Sequence, residues 1–340
     1  MPNLMLDVFT EDAFNMINMT TALQKLPYQT SRLGQLNLFN FTEGVETNTI
    51  MIDELNGELQ LLSNRPRGSE PERAKKEVKA KSRAVGIPHM QFEDRILAAS
   101  LFGKRQPGES ELQNVVRKVN DSQARMRQAI ETTWEVHRLN ALKGVLLDAD
   151  GSVITDFFDL FEVVQQTHNF AFSVATTNVR NQVVAALRKM EAELGGIGYA
   201  QARAICGATF FDNLISHASV KEAYQLQQSQ LLGQDLRYAG FTWGGVVWEE
   251  YRGMTIPGAD ANVGLVAAAE AVLFPTGVPS MYRVYFAPGD FMETVNTVGI
   301  PMYSKAAPDL QYNRWVDLLA ETNPLHINTR PRAVLKLTQS

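Results

Sequence analysis

The strongest pattern in the chain runs from position 110 to 143 without a Gly or Pro. Apolar side chains return at Leu112, Val115, Val116, Val119, Met126, Ile130 and Trp134, with His137 on the same stripe. That spacing is close to 3.6 residues and predicts one long helix, opened by a capping box at Ser110 and Gln113 and closed at Gly144. At 1.5 Å per residue the rod is about 50 Å long. Its stripe drifts off strict heptads, which favours bracing an elongated domain over a coiled coil. A second helix is predicted over 178–194, with Val179, Val183, Ala186, Leu187 and Met190 on one face and Gly195-Gly196 as its stop. A third is expected over 220–231, capped by Ser219, and a short one over 12–19 behind Thr10. The rest of the first 41 residues reads as extended, broken by Pro27 and Gly34.

Period-two alternation takes over at 47–54, followed by the turn dipeptide Asn56-Gly57. The segments 145–147 and 153–155 flank Asp148-Ala149-Asp150-Gly151, which reads as a hairpin. A short buried strand is predicted at 204–209. From Phe241 onward the chain reads mostly as strands, at 241–251, 271–274, 281–287 and 331–337. Strands and helices are grouped instead of alternating, so the predicted fold class is α+β.

One stretch cannot join any core. Between positions 63 and 83, Arg65, Arg67, Arg73, Lys75, Lys76, Lys79, Lys81 and Arg83 stand against Glu70, Glu72 and Glu77, with almost no large apolar side chain. A more apolar return follows at 85–97, with Ile87, Met90, Phe92 and Ile96. Two extended limbs joined by a charged tip predict a long loop projecting from the body, and loops of that length usually carry a function. The whole chain has 32 Lys and Arg against 37 Asp and Glu, a net charge of −5. The tip contributes about +5, so the body must carry about −10 and offers acidic surface to the tip of another copy.

Composition narrows the function classes. With 340 residues and 45% hydrophobic side chains, there is ample core for two domains or one elongated one. The acidic balance argues against a protein that coats DNA. Cys206 is the only cysteine, which excludes a disulfide framework and points to a reducing compartment. Asp7, Glu11 and Asp12 precede the first base, Lys25, unlike a signal peptide, and the longest apolar run is too short for a bilayer. A soluble, intracellularly made protein without a membrane partner is expected.

Catalytic signals are weak. Gly195-Gly196-Ile197-Gly198 follows a helix and reads as a helix stop, not a dinucleotide loop. Asp148, Asp150 and Gly151 lack the spacing and closing Glu of a calcium loop. His89, His137, His168, His217 and His326 are scattered, with no pair at metal-ligand spacing. Cys206 sits among small residues as a core thiol, and His217 near Asp212 and Ser216 lacks a nucleophile elbow. Glu249 and Glu250 are strand neighbours and face opposite ways. No catalytic residue, cofactor or metal is expected.

Five segments then recur in a telling order: ALKGVLLDADGSVITDFF at 141–158, FTWGGVVWEEYRG at 241–253, AVLFPTGVPSMYRVYFAPGD at 271–290, ETVNTVGIPMYSK at 293–305 and NPLHINTRPRAVLKL at 323–337. Together, over nearly the whole chain, they resemble the major capsid protein E family of tailed phages, the lambda-type head proteins. The resemblance implies the α+β fold shared by tailed-phage and herpesvirus shells. Its parts would be an N-terminal arm at 1–41, an extended β-hairpin loop at 42–97, and a peripheral domain at 98–177 with a spine helix over about 110–143. A mainly axial domain would follow at 178–281, then return strands of the peripheral domain at 282–340.

The resemblance also implies a subunit without catalysis that self-assembles into hexamers and pentamers of an icosahedral virion shell. That shell would form in the host cytoplasm and enclose double-stranded DNA without binding it specifically. A separate scaffolding protein is expected, because no coiled-coil leader precedes the arm, along with a portal and room for a decoration protein. Arg65, Arg67, Arg73, Lys75, Lys76, Lys79, Lys81 and Arg83 are the expected inter-subunit loop contacts. Arm and loop are expected to gain burial only by lying across neighbours. The alternatives are a tube or head-joining virion protein, a cytoplasmic α+β enzyme using Cys206 or His217, and a DNA-binding module using the basic tip.

Overall fold

The computed structural model describes residues 15–26, 31–54, 81–101, 111–174, 177–230, 235–253, 264–312 and 314–339. The chain begins with helices α1 (Met16–Lys25) and α2 (Arg32–Leu36), then strands β1 (Phe41–Gly44), β2 (Thr49–Glu54), β3 (Lys81–Gly86) and β4 (Met90–Leu97). Helix α3 (Ala98–Leu101) precedes the long helix α4 (Glu111–Lys143), which is followed by the hairpin β5 (Val145–Leu147) and β6 (Val153–Asp156). Next come α5 (Phe157–Leu160), β7 (Gln166–Asn169), α6 (Val179–Leu194), β8 (Gln201–Cys206), α7 (Ala208–Ser216), α8 (Ala218–Gln230) and α9 (Leu236–Ala239). Strands complete the chain: β9 (Phe241–Trp243), β10 (Val246–Glu250), β11 (Glu270–Thr276), β12 (Tyr282–Phe286), β13 (Tyr303–Pro308), β14 (Trp315–Thr322), β15 (Pro324–Asn328) and β16 (Leu335–Thr338).

A mixed six-stranded sheet, ordered β7-β16-β11-β8-β10-β9, divides two hydrophobic cores. Successive strand side chains point to opposite faces, so one strand serves both cores. Ala202, Ala204 and Cys206 of β8 join one core with Trp248, α6 and α7, while Ile205 joins the other. That other core contains α4, the arm helices and the three-stranded sheets β1-β12-β15 and β13-β14-β4. Long helix α4 braces it through Val119, Met126, Ile130, Trp134, Leu139 and Leu142. The stripe is narrower than the sequence suggests at its start, where Val116 is exposed. Gly144 ends the helix at φ +95°, and a Cβ there would sit 2.4 Å from the Phe158 ring. Helix α6 opens on Asn178, whose side chain accepts from the Asn181 amide at 3.2 Å, and closes on Gly195 in the left-handed region.

Several elements depart from the sequence reading. The arm is helical, not extended: Asn15 caps α1, and α2 runs through Gly34. Positions 85–97 do not form a single returning limb. Strand β3 pairs with β2, whereas β4 pairs with β14 and so belongs to the body. Lys81 and Arg83 therefore sit in a paired limb. The strand expected at 204–209 starts earlier and ends at Cys206, because Gly207 opens α7. Ser219 lies inside α8, not at its cap. Residues 331–333 form a 3-10 turn before β16, and β13, β14 and β15 were not foreseen. The turn at Asn56-Gly57, the cap at Ser110 and the helix start behind Thr10 lie outside the described residues.

Candidate assembly elements

The described part of the arm, residues 15–26 and 31–41, is held on its own body, against the expectation that the arm gains burial only from neighbours. Met19 and Leu23, one turn apart on α1, are buried against α4 and β13. Backbone groups are matched along the way. Gln123 Nε2 donates to the Met19 carbonyl at 3.3 Å and Arg127 Nη1 to the Leu23 carbonyl at 2.5 Å, both from α4. Thr20 Oγ1 accepts from the Ser304 amide at 2.9 Å, and Gln24 Nε2 donates to the Met302 carbonyl at 3.3 Å.

Two buried carboxylates grip α2. Glu135 of α4, 1% exposed, accepts from the Leu33 amide at 2.8 Å, the Gly34 amide at 3.2 Å and Ser31 Oγ at 2.5 Å. It does for this short helix what an N-cap side chain would do, satisfying first-turn amides. The Tyr251 hydroxyl donates to the same carboxylate at 3.3 Å, and burial, then Glu135, pushes its pKa up. Glu249, equally buried on β10, receives Arg32 of α2 and Arg203 of β8, the latter at 2.9 Å. A desolvated carboxylate is tolerated only with such partners. Through these two side chains one short helix ties the long helix to the six-stranded sheet.

The loop is held differently. Ile50 and Val85, directly paired across β2 and β3, turn into the core, while Met51, the next residue on β2, is 65% exposed. Arg83 reaches Glu162 at 3.2 Å. Arg65, Arg67, Arg73, Lys75, Lys76 and Lys79 lie outside the described residues, and only the backbone of Lys81 is described. Of the eight bases singled out in the sequence, Arg83 is thus the one whose side-chain partner is visible.

Sequence reasoning missed three buried polar centres because their partners are remote in the chain. Glu135 and Glu249 are two. Glu321 of β14 is the third, accepting from the Asp290 amide and Asn323 Nδ2, both at 2.8 Å, with His89 Nδ1 at 3.3 Å. The histidines are also less scattered than their numbering suggests. His137 of α4 and His326 of β15 meet edge to face, ring centroids 6.0 Å apart. Burial lowers both pKa values, His137 to about 4. The candidate nucleophile has no such company: Cys206 is wholly buried, its thiol pushed up by burial, and His217 bonds Ser219 Oγ at 2.8 Å on the surface. Among the described residues no three metal-binding side chains cluster, and no helix is long and apolar enough to cross a membrane.

The chain is similar in structure to a solved protein from a prophage of E. coli CFT073 that is described as a capsid protein. The TM-score is 0.59 at 16% identity, covering 99% of this chain and 98% of that one. The fold is that of phage capsid proteins. Residues 15–339 match the family model for phage major capsid protein E, and the chain belongs to that family. It is 28% identical to the major capsid protein of Pseudomonas phage KPP10, over 96% of this chain and 97% of the relative. It is 24% identical to that of Salmonella phage Felix O1, over 95% of each. The protein is a phage major capsid protein, a structural component of the virion shell and not an enzyme.

Proposed function

We propose that this subunit closes an icosahedral shell as hexamers and pentamers, assembled in the host cytoplasm around a separate scaffolding protein and filled through a portal with double-stranded DNA. In this reading residues 1–41 are the arm, and the extended loop is the part of 42–97 between β1 and β4, two strands that pair with the body. Most of 98–177 and of 282–340 forms the peripheral domain, with α4 as spine, while 178–281 form most of the axial domain and share their sheet with β7 and β16. The observation that carries it is the contrast at the subunit edge. Helix α2 of the arm bonds carboxylates of its own body, whereas the basic stretch from Arg65 to Lys79 brings six bases whose charge needs an acidic counterpart. An acidic face of a neighbouring copy supplies it, with the net −5 chain free of any strong grip on DNA.

Negative-stain electron microscopy of the protein co-expressed with a candidate scaffold tests the reading. Closed shells tens of nanometres across are expected; tubes or small rings alone would overturn it. Reversing Arg73, Lys75 and Lys76 to Glu is expected to abolish shells while leaving the subunit folded. Normal shells from that variant would remove the loop from the account.

A further inference from the structure

Beside the β2–β3 hairpin lies a groove of about 660 Å³, and its position limits what can fill it. Met51 and Ile52 of β2 both line it, and no described residue of β3 does. Consecutive strand side chains point to opposite faces. Ile52 shares the face on which Ile50 is buried, while Met51 stands exposed on the other. A cavity touched by both therefore runs along the edge of β2, not under one face of it. Strand β3 pairs one edge of β2, and the two strands form a sheet of their own. The other edge leaves alternate backbone N–H and C=O groups without a strand partner, a template to which an extended chain can add.

The remaining side chains of the groove set the charge of that chain. Arg283, Arg330 and Arg332 line it against the single acid Glu193, and Arg332 pairs with Glu193 at 2.7 Å. The Arg283 guanidinium is held by uncharged groups. It donates to the Ser280 carbonyl at 3.0 Å and to the Tyr285 hydroxyl at 3.1 Å, and it lies over the Phe41 ring. Arg330 has no acidic partner among the described residues. Two guanidinium groups are thus left without a carboxylate, beside apolar side chains such as Phe161 and Ile327. A strand with acids at alternate positions and apolar residues between them presents one acidic and one apolar face, which complements this lining.

We infer that the groove docks an extended segment of a second protein, acidic and apolar at alternate positions, which adds to the free edge of β2. This chain has no described strand to spare, since each is already paired. Outside the described residues, 55–80 and 102–110 carry a basic surplus, and 254–263 holds one acid. Residues 1–14 are the competitor within the chain, with Asp7, Glu11 and Asp12 and no Lys or Arg. Their pattern does not alternate. Read as a strand, Met5, Asp7, Phe9 and Glu11 fall on one face and Leu4, Leu6, Val8 and Asp12 on the other, so neither face is purely acidic or purely apolar.

Fluorescence anisotropy of the free full-length subunit with the fluorescein-labelled synthetic peptide VDLEVDL tests the inference. Saturable one-to-one binding is expected, weakened at least tenfold in R330E/R332E, with none for the peptide VKLKVKL. Two further versions of VDLEVDL are methylated on alternate backbone nitrogens, one at odd and one at even positions. Only alternate N–H groups of an added strand bond its neighbour. One version should therefore bind within threefold of the parent and the other at least tenfold more weakly. That contrast leaves the subunit unaltered, so it holds however well the arginine variant folds. No saturable binding by VDLEVDL, full affinity in R330E/R332E, or equal binding by the two methylated versions would each overturn the proposal. D7K/E11K/D12K is expected to bind VDLEVDL within threefold of the unmodified subunit. A tenfold gain would mean that residues 1–14 occupy the groove, and would overturn the assignment to a second protein. Because no shell is involved, any of these failures leaves the shell reading standing.

Discussion

The arm and the base of the loop both start as peripheral segments, and they are held in opposite ways. Helix α2 offers its first-turn amides and Arg32 to carboxylates that are almost wholly desolvated on the body. The β2–β3 hairpin offers Arg83 to Glu162, whose side chain is 64% exposed. Burial decides what each grip contributes. Removing one partner from a desolvated ionic centre leaves the other uncompensated, whereas a pair whose carboxylate is open to water adds less, although the Arg83 stem is itself mostly buried. The difference teaches that the described arm helices are part of the folded subunit, and it supports the proposal that the loop's bases serve contacts outside it.

The largest effect should come from the arm's clamp. Glu135→Ala strips the acceptor from two α2 amides, Ser31 and Tyr251, and is expected to cost about 4 kcal/mol in urea denaturation of the free subunit. A loss under about 1 kcal/mol would erase the contrast with the loop.

Next comes acidification, which probes the same core where Phe39 of the arm packs on His326. Burial holds the His137 pKa down at about 4, with Asp148 opposing weakly. Above pH 6.5 neither folded nor unfolded chain binds the proton. Between 6.5 and about 4 the unfolded chain takes it first, so stability falls with pH, by about 3 kcal/mol in all. Denaturation midpoints from pH 7 to 4.5 check this; His137→Phe should reduce the slope, and the buried His326, whose pKa burial also lowers, should carry what remains. A midpoint that does not move between these pH values would contradict it.

The smallest effect sharpens the other side of the comparison. Arg83→Ala removes a pair whose Glu162 end is open to water and a stem that is itself mostly buried, and is expected to cost about 1 kcal/mol in the same denaturation assay. A loss as large as that of Glu135→Ala would mean that the loop, too, is clamped to its own body.

How legible each region was in the sequence follows the same physics. Helix α4 and helix α6 declare themselves locally, one by uninterrupted 3.6-residue spacing, the other by Asn178 and Gly195 at its ends. Helix α2 does not, because it contains Gly34 and its capping group, Glu135, is about a hundred residues away. Strand β15 reads poorly for a related reason. It opens on Pro324 and carries His326 and Asn328, yet every residue in it is buried, since helix α4 and strand β12 cover it. Strand β14 hides its alternation behind Asp317 and the buried Glu321. The family resemblance and the basic stretch were readable from composition and order. The arm's grip was not, because Arg32–Glu249 and Leu33–Glu135 join positions that only the fold brings together.

Hydrogen–deuterium exchange, compared between the free subunit and closed shells, tests the contrast most directly. Amides of α1 and α2 should be protected in both states, and those of 55–80 should gain protection only in shells. An arm that exchanges freely in the isolated subunit, or a loop equally protected before and after assembly, would contradict it.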